Sequence, residues 1–457
     1  MLRSIRIYLS PLLILTFVLI TGLSSAAQAQ TVIRDREIER VFSKWFEPVI
    51  EAAGLRPDNV NIILIQDSQI NAFVAGGPNV FLFTGLLLET QDPSEILGVL
   101  AHELGHIRGG HLIRGRQALE RASYEALIGT ILGLGAAIAS GDGAAAGAIS
   151  SGTQSQAMRR FLSHSRVQES SADQAALTYL NKAGMSPKGL ISFFDKLKEK
   201  ESVVSSRQSE YSRTHPLTDN RIAALKSKAR ASPHYSKPLP QGWKQDYERV
   251  MAKLLGFIHP GHVAWTYSLS NRSIPAQYAR AIAAYRTQNF EESLAILDTL
   301  IKSEPENAYF YELKGQVLVD AGRLEEAIAP YQKAVGLDPK AGLIRIALAQ
   351  ALIEIARSQN STETSRLKIT QAINHLTQAS KSEKRSGRLH RLLATAYGQI
   401  GKTGLASYHL GEEAVLRRKW KDAETHARSA LRALPPESRE HLKAQDLLEF
   451  IEIHKKG

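Results

Sequence analysis

Across 457 residues, 57 Lys+Arg stand against 45 Asp+Glu, a formal net charge of +12, and cysteine is absent. That excludes a disulfide-stapled mini-protein, thiolate metal sites and cysteine nucleophiles, and the length exceeds what one hydrophobic core supports, so two or more domains are expected. The basic residues alternate with acidic ones and form no aromatic-basic stripe, so nucleic acid is not an expected partner.

In chain order, residues 1–29 have the layout of a secretory signal. Arg3 and Arg6 form the basic start, Leu12 to Leu23 the apolar run, and Ala27-Gln28-Ala29 the small cleavage residues. The apolar run is short for a membrane span of roughly 20 residues, which makes export with cleavage the expectation. Asp35 to Gly54 carries helical spacing, and Val60 to Ile65 and Val80 to Phe83 are β-rich runs separated by Gly76-Gly77-Pro78. From Pro93 to about His111, Ile96, Leu100, Leu104 and Ile107 share one helical face. Asp92 and Glu95 around Pro93 supply a capped start. Ala126 to Ser150 is apolar yet rich in glycine, with a turn at Ser140-Gly141-Asp142-Gly143, and reads as a small-residue hairpin packed on the protein or in peripheral contact with a membrane. A second long helix is expected from about Arg159 to Asn181.

Prolines 233, 238, 240, 260 and 275 then mark residues 231–275 as a connecting segment. Beyond it, Asn289-Phe290-Glu291-Glu292 recurs 34 residues later as Arg323-Leu324-Glu325-Glu326, and Pro305 recurs as Pro339, the tetratricopeptide period. Lys419-Trp420-Lys421-Asp422-Ala423 looks like a further copy. Such helix pairs cover one another's apolar faces and build a stacked superhelix with a concave groove. The expected domains are therefore 30–230, a segment 231–275, and repeats over 276–457.

His102-Glu103-Leu104-Gly105-His106 carries the most chemistry. On a helix the two imzidazoles stand at i and i+4, face one side and can hold one zinc ion, leaving Glu103 beside the open coordination position as a base for an activated water. Two residues compete for the third ligand. His111 follows His106 by five residues, one short of the metzincin spacing, and about 500° of helical turn carries it off the ligand face. Glu169 and Asp173 stand at i and i+4 on the second helix, where small Ala172 and Ala176 permit close approach. Glu169 could complete the site while Asp173 fixes the tautomer of a ligating imidazole.

Phe73 and Asn71 before Gly76-Gly77-Pro78 and a strand, Thr84-Gly85-Leu86-Leu87, His102 to His106, Glu169 to Asp173, and Thr214-His215-Pro216 with Arg221 occur in an order that resembles the gluzincin family of CAAX prenyl protease and HtpX-type peptidases. With an export signal and C-terminal repeats, the chain is similar to the periplasmic BepA-like branch of that family. The resemblance implies an α+β zincin-like metalloprotease domain followed by an all-α tetratricopeptide superhelix. It implies one Zn2+ per chain on His102, His106 and Glu169, Glu103 as catalytic base and Asp173 behind the ligands. His215 would act beside the metal, blocking or tuning the water or donating to an oxyanion. Asn79 to Phe83 would be the edge strand, with Asn79, Val80 and Phe81 aligning an extended substrate. The implied function is a periplasmic zinc endopeptidase that degrades misfolded or stalled outer-membrane proteins, its repeats recruiting these clients or engaging the outer-membrane assembly machinery. The alternative is a repeat-based chaperone or scaffold with a silenced or structural zinc site.

Overall fold

The computed structural model describes residues 31–111, 166–203, 209–358 and 362–455. The expected signal segment and the 126–150 hairpin lie outside the described residues.

A four-stranded sheet has the order β1-β2-β4-β3, built from β1 (Thr31–Ile33), β2 (Asn61–Gln66), β3 (Ala72–Val74) and β4 (Asn79–Phe83). β2 and β4 run parallel, with Asn61 opposite Asn79 and Ile65 opposite Phe83, while β1 on β2 and β3 on β4 are antiparallel. The expected edge strand is thus an inner one: β4 is paired on both sides, and β3, three residues long, takes the edge. Val80 is buried, Phe81 stacks on Phe73 at 4.9 Å, and the Asn79 amide bonds the carbonyls of Ala75 and Gly76 in the turn. None of the three can present a free strand edge.

Helix α1 (Arg36–Ala52) is capped by Asp35 and buries Phe42, Trp45, Phe46 and Val49. After a short α2 (Thr84–Glu89), helix α3 (Pro93–Gly109) begins where the Asp92 carboxylate accepts the Ser94 N–H and the Glu95 carboxylate reaches back to the Gln91 N–H. It ends at Gly110, whose φ of 61° suits the left-handed cap. The spacing suggests a helix with one apolar face, but residues 95–106 are buried all round, because α3 runs through the middle of the domain. Two glycines make this crowding feasible. A Cβ at Gly98 would come within 2.6 Å of the Leu190 backbone on α5 (Lys188–Val203), and one at Gly105 within 2.8 Å of the Ala172 carbonyl on α4 (166–182).

Short α6 (Glu210–Thr214) and α7 (Asp219–Arg230) follow, and then α8 (Trp243–Ile258). The expected connecting segment is not a linker at this point, since Trp243, Tyr247, Val250 and Leu254 join the same core as Trp45 and Leu100. The prolines flank α8 without interrupting it. Burying four large apolar side chains stabilises the helix by several kcal/mol, at about 1.5–3 kcal/mol each.

The rest is helical: α9 (Ile274–Arg286), α10 (Phe290–Ser303), α11 (Ala308–Asp320), α12 (Leu324–Leu337), α13 (Gly342–Ser358), α14 (Thr362–Ala379), α15 (Gly387–Gln399), α16 (Thr403–Leu416), α17 (Trp420–Ala433) and α18 (Arg439–His454). Their turns repeat a backbone state. Gln288, Gly322, Gly401 and Arg418 all have positive φ, two residues before a helix starts, which supports the repeat reading independently of the side chains. Where the repeats meet the first domain, Lys253 of α8 is buried between Asp35 (2.7 Å) and Glu37 (3.1 Å), and the Tyr278 hydroxyl of α9 donates to Glu37 at 2.9 Å. Arg36 pairs with Asp338 at 2.8 Å and Arg34 with Glu383 at 3.0 Å, so charges tie the start of the first domain to successive repeats.

Candidate metal centre

The i and i+4 positions on α3 bring His102 and His106 together with their Nε2 atoms 3.1 Å apart. The packing of Gly105 on Ala172 sets α4 close enough for Glu169 to reach both, at 3.4 Å from each Nε2. His215, just after α6, places Nδ1 at 3.1 Å from Glu169 and 3.4 Å from His102 Nε2. One donor atom from each of these four residues lies within 4.8 Å of the others, and this is the one such group among the described residues.

The surroundings fix these donors. Asp173 approaches His102 Nδ1 at 3.0 Å, turning Nε2 toward the cluster. Arg221 holds Asp173 with Nε at 2.5 Å and Nη2 at 2.8 Å, reaches Glu169 at 3.1 Å, and lies 5.2 Å from the Phe194 ring centroid. Its Nη1 also donates to the Pro216 carbonyl at 3.1 Å, which pins the segment carrying His215. The Tyr211 ring packs on His215 at 4.7 Å. His111 does not enter the donor group; its Nδ1 lies 3.0 Å from His106 Nδ1, on the far side of that ring.

The electrostatics favour a positive charge at the centre. Burial opposes protonation of His102, but Asp173 and Glu169 overcome it and raise its pKa to about 9. His106 is lowered to about 2, first by burial and then by repulsion from His102. Burial alone would raise Glu169, yet hydrogen bonds to His102 and His215 hold it well below the usual carboxylate range. Glu103 is raised by burial, and both its oxygens are enclosed without a hydrogen-bond partner. Two imidazole nitrogens and a carboxylate turned toward one point, with a further buried carboxylate beside them, are a donor set that fits a zinc ion and a water next to it.

The sequence reading placed His102, Glu103, His106, Glu169, Asp173 and His215, and all six come together here. It assigned no role to Arg221 or Tyr211. The available signal for Arg221 was an arginine six residues after His215, at a helix start where a cation is unfavourable unless it serves a carboxylate elsewhere.

Residues 33–229 match peptidase family M48, and residues 278–342 match a tetratricopeptide repeat. The chain is 28% identical over 299 residues to the beta-barrel assembly-enhancing protease of Yersinia pestis, covering 64% of this chain and 60% of that protein. It is 26% identical over 309 residues to the protein of the same name in Escherichia coli (strain K12), covering 66% and 62%. The metalloprotease YcaL of E. coli (strain K12) is 30% identical over 199 residues, covering 41% of this chain and 70% of that protein. The chain thus spans about 60% of the length of the first two relatives.

Proposed function

Because the chain belongs to peptidase family M48, we propose that it is a zinc endopeptidase acting in the bacterial periplasm on unfolded or misassembled outer-membrane proteins. The observation that carries this is the buried Glu103 carboxylate, without a hydrogen-bond partner, beside donors from two helices and 3.6 Å from His215 Nε2. His102, His106 and Glu169 would hold the zinc ion, which lowers the pKa of a bound water to around 7. Glu103 takes the proton of the attacking water and delivers it to the departing amide nitrogen. Asp173, clamped by Arg221, keeps His102 in the tautomer that offers Nε2. His215, whose buried Nε2 lies 3.6 Å from Glu103 and makes no hydrogen bond, would turn it to the carbonyl oxygen as negative charge develops there.

Substrate alignment moves from Asn79, Val80 and Phe81 to β3. Pairing of Phe73 with Phe81 directs the Phe73 backbone toward β4, so alternation turns the backbone N–H and C=O of Ala72 and Val74 away from β4, on the strand that packs against α3. The periplasmic address rests on the signal-like residues 1–29. No helix among the described residues is long and apolar enough to cross a membrane. Clients or an outer-membrane assembly machine would be engaged by the repeats, as the names of the relatives suggest.

A second reading, a repeat-based scaffold with a silenced site, draws on His215 lying inside the donor group. Glu103→Gln separates the two. Cleavage of an unfolded β-barrel precursor should fall by about 10²–10⁴ with metal content unchanged. Undiminished metal-dependent cleavage by that variant would refute the peptidase assignment of Glu103.

A further inference from the structure

Between α8 and α9 the chain makes an excursion that the metal centre does not use. A single turn of helix, Val263–Thr266, is held to the body by Val263, which packs against Ala252 and Ala279 with Tyr267 beside it. The same turn directs Trp265 into solvent at 89% exposure, and Leu269 follows at 79%. They are the two most exposed large apolar residues described, only four positions apart. Scattered surface apolar residues need no explanation, but a nearly naked indole next to a nearly naked leucine, on a well-anchored base, does.

Two arginines dominate the charge around them, with Glu248 of α8 facing Tyr267 from the neighbouring helix. The Arg280 guanidinium donates to the Ser268 carbonyl at 3.2 Å and to the Asn271 carbonyl at 2.6 Å, so the loop wraps around a cation. Arg272 lies close enough to repel it, and no ion pair joins either arginine to a carboxylate among the described residues. Ser268, Ser270, Asn271 and Ser273 make up the polar remainder.

We propose that residues 262–272, with Arg280, form a docking surface for an anionic lipid bilayer, Trp265 and Leu269 entering the headgroup–acyl boundary while Arg272 and Arg280 face phosphates. Indole has an apolar body and a polar N–H and settles at that depth, and paired arginines add electrostatic attraction to anionic lipid. A protein partner is the less favoured occupant, because the two apolar side chains project outward into solvent.

The test is flotation of the full chain with phosphatidylcholine vesicles and with vesicles that also contain phosphatidylglycerol. The wild type should float with the anionic vesicles and lose binding as salt rises. Trp265→Ser with Leu269→Ser should bind roughly tenfold more weakly, and Arg272→Gln should bind more weakly to anionic vesicles only. Circular dichroism of each variant should match the wild type. Failure of the wild type to float, equal flotation of the double variant, or a photo-crosslinker at position 265 capturing protein while vesicles are ignored would each overturn the proposal.

Discussion

Two buried clusters of charge show how this molecule separates structure from chemistry. At the junction with the repeats, Asp35 and Glu37 surround an ammonium supplied by the chain itself, that of Lys253, and Tyr278 adds a hydrogen bond. In the metal centre, His102, His106, Glu169 and His215 turn their donor atoms toward one another, while the chain's own cation, Arg221, is held at the edge by Asp173. The first arrangement partners its carboxylates with a covalently attached cation, with Glu37 Oε1 left enclosed without a donor. The second keeps acceptor capacity open on Glu103. Both clusters bury carboxylate oxygens without a donor, so burial alone does not mark a reactive site; the convergence of several donor atoms on one point does.

The largest effect expected from this contrast is at the junction. Lys253→Met leaves Asp35 and Glu37 without their cation and should cost about 3–5 kcal/mol, read from urea unfolding of the full chain. A loss below about 1 kcal/mol would mean the carboxylates are solvated in place. Next, Gly105→Ala forces α3 and α4 apart at the Ala172 carbonyl, with an expected cost of about 1–3 kcal/mol and weaker zinc retention, measured by thermal unfolding with and without chelator. Retention equal to wild type would show that Glu169 does not depend on that approach. Asp173→Asn removes the partner of both His102 and Arg221 and should lower zinc affinity about 10–100-fold in a competition titration. An unchanged affinity would reduce Asp173 to a packing residue.

The smallest expected effect is on pH dependence. Glu312 on α11 has an enclosed Oε2 without a donor, and burial pushes its pKa from 4.5 up to about 8, with Lys253 acting in the opposite sense. Between those values the folded chain keeps a proton that the unfolded chain has released, so this contribution to stability is full below about 4.5 and is lost as pH rises through about 8. Glu312→Gln should flatten the fall in unfolding midpoint over that range by on the order of 1 kcal/mol. A slope identical to wild type would remove Glu312 as its origin.

Much of the site could be read from the chain because its parts obey helical spacing. His102 and His106, and likewise Glu169 and Asp173, are i and i+4 pairs, and α3 carries its start signal at Asp92 to Glu95. What escaped was non-local. β3 is three residues long and shows no alternation of its own, so nothing in the sequence corrects the edge position that the family resemblance implies for β4; only the pairing of Phe73 with Phe81 does. Residues 243–258 are bounded by prolines and resemble a linker until Trp243 and Tyr247 are seen against Trp45. Arg221 stands out locally only as a cation at a helix start; its purpose appears when α4 and α7 are side by side. The repeats were the easiest region, because each helix contacts its chain neighbours.

Arg221 has one more implication. The same guanidinium grips Asp173 and the backbone carbonyl of Pro216, next to His215. Any displacement of the His215 segment would therefore tug on the brace behind His102, and would loosen the hold of His102, His106 and Glu169 on a metal ion in the same motion.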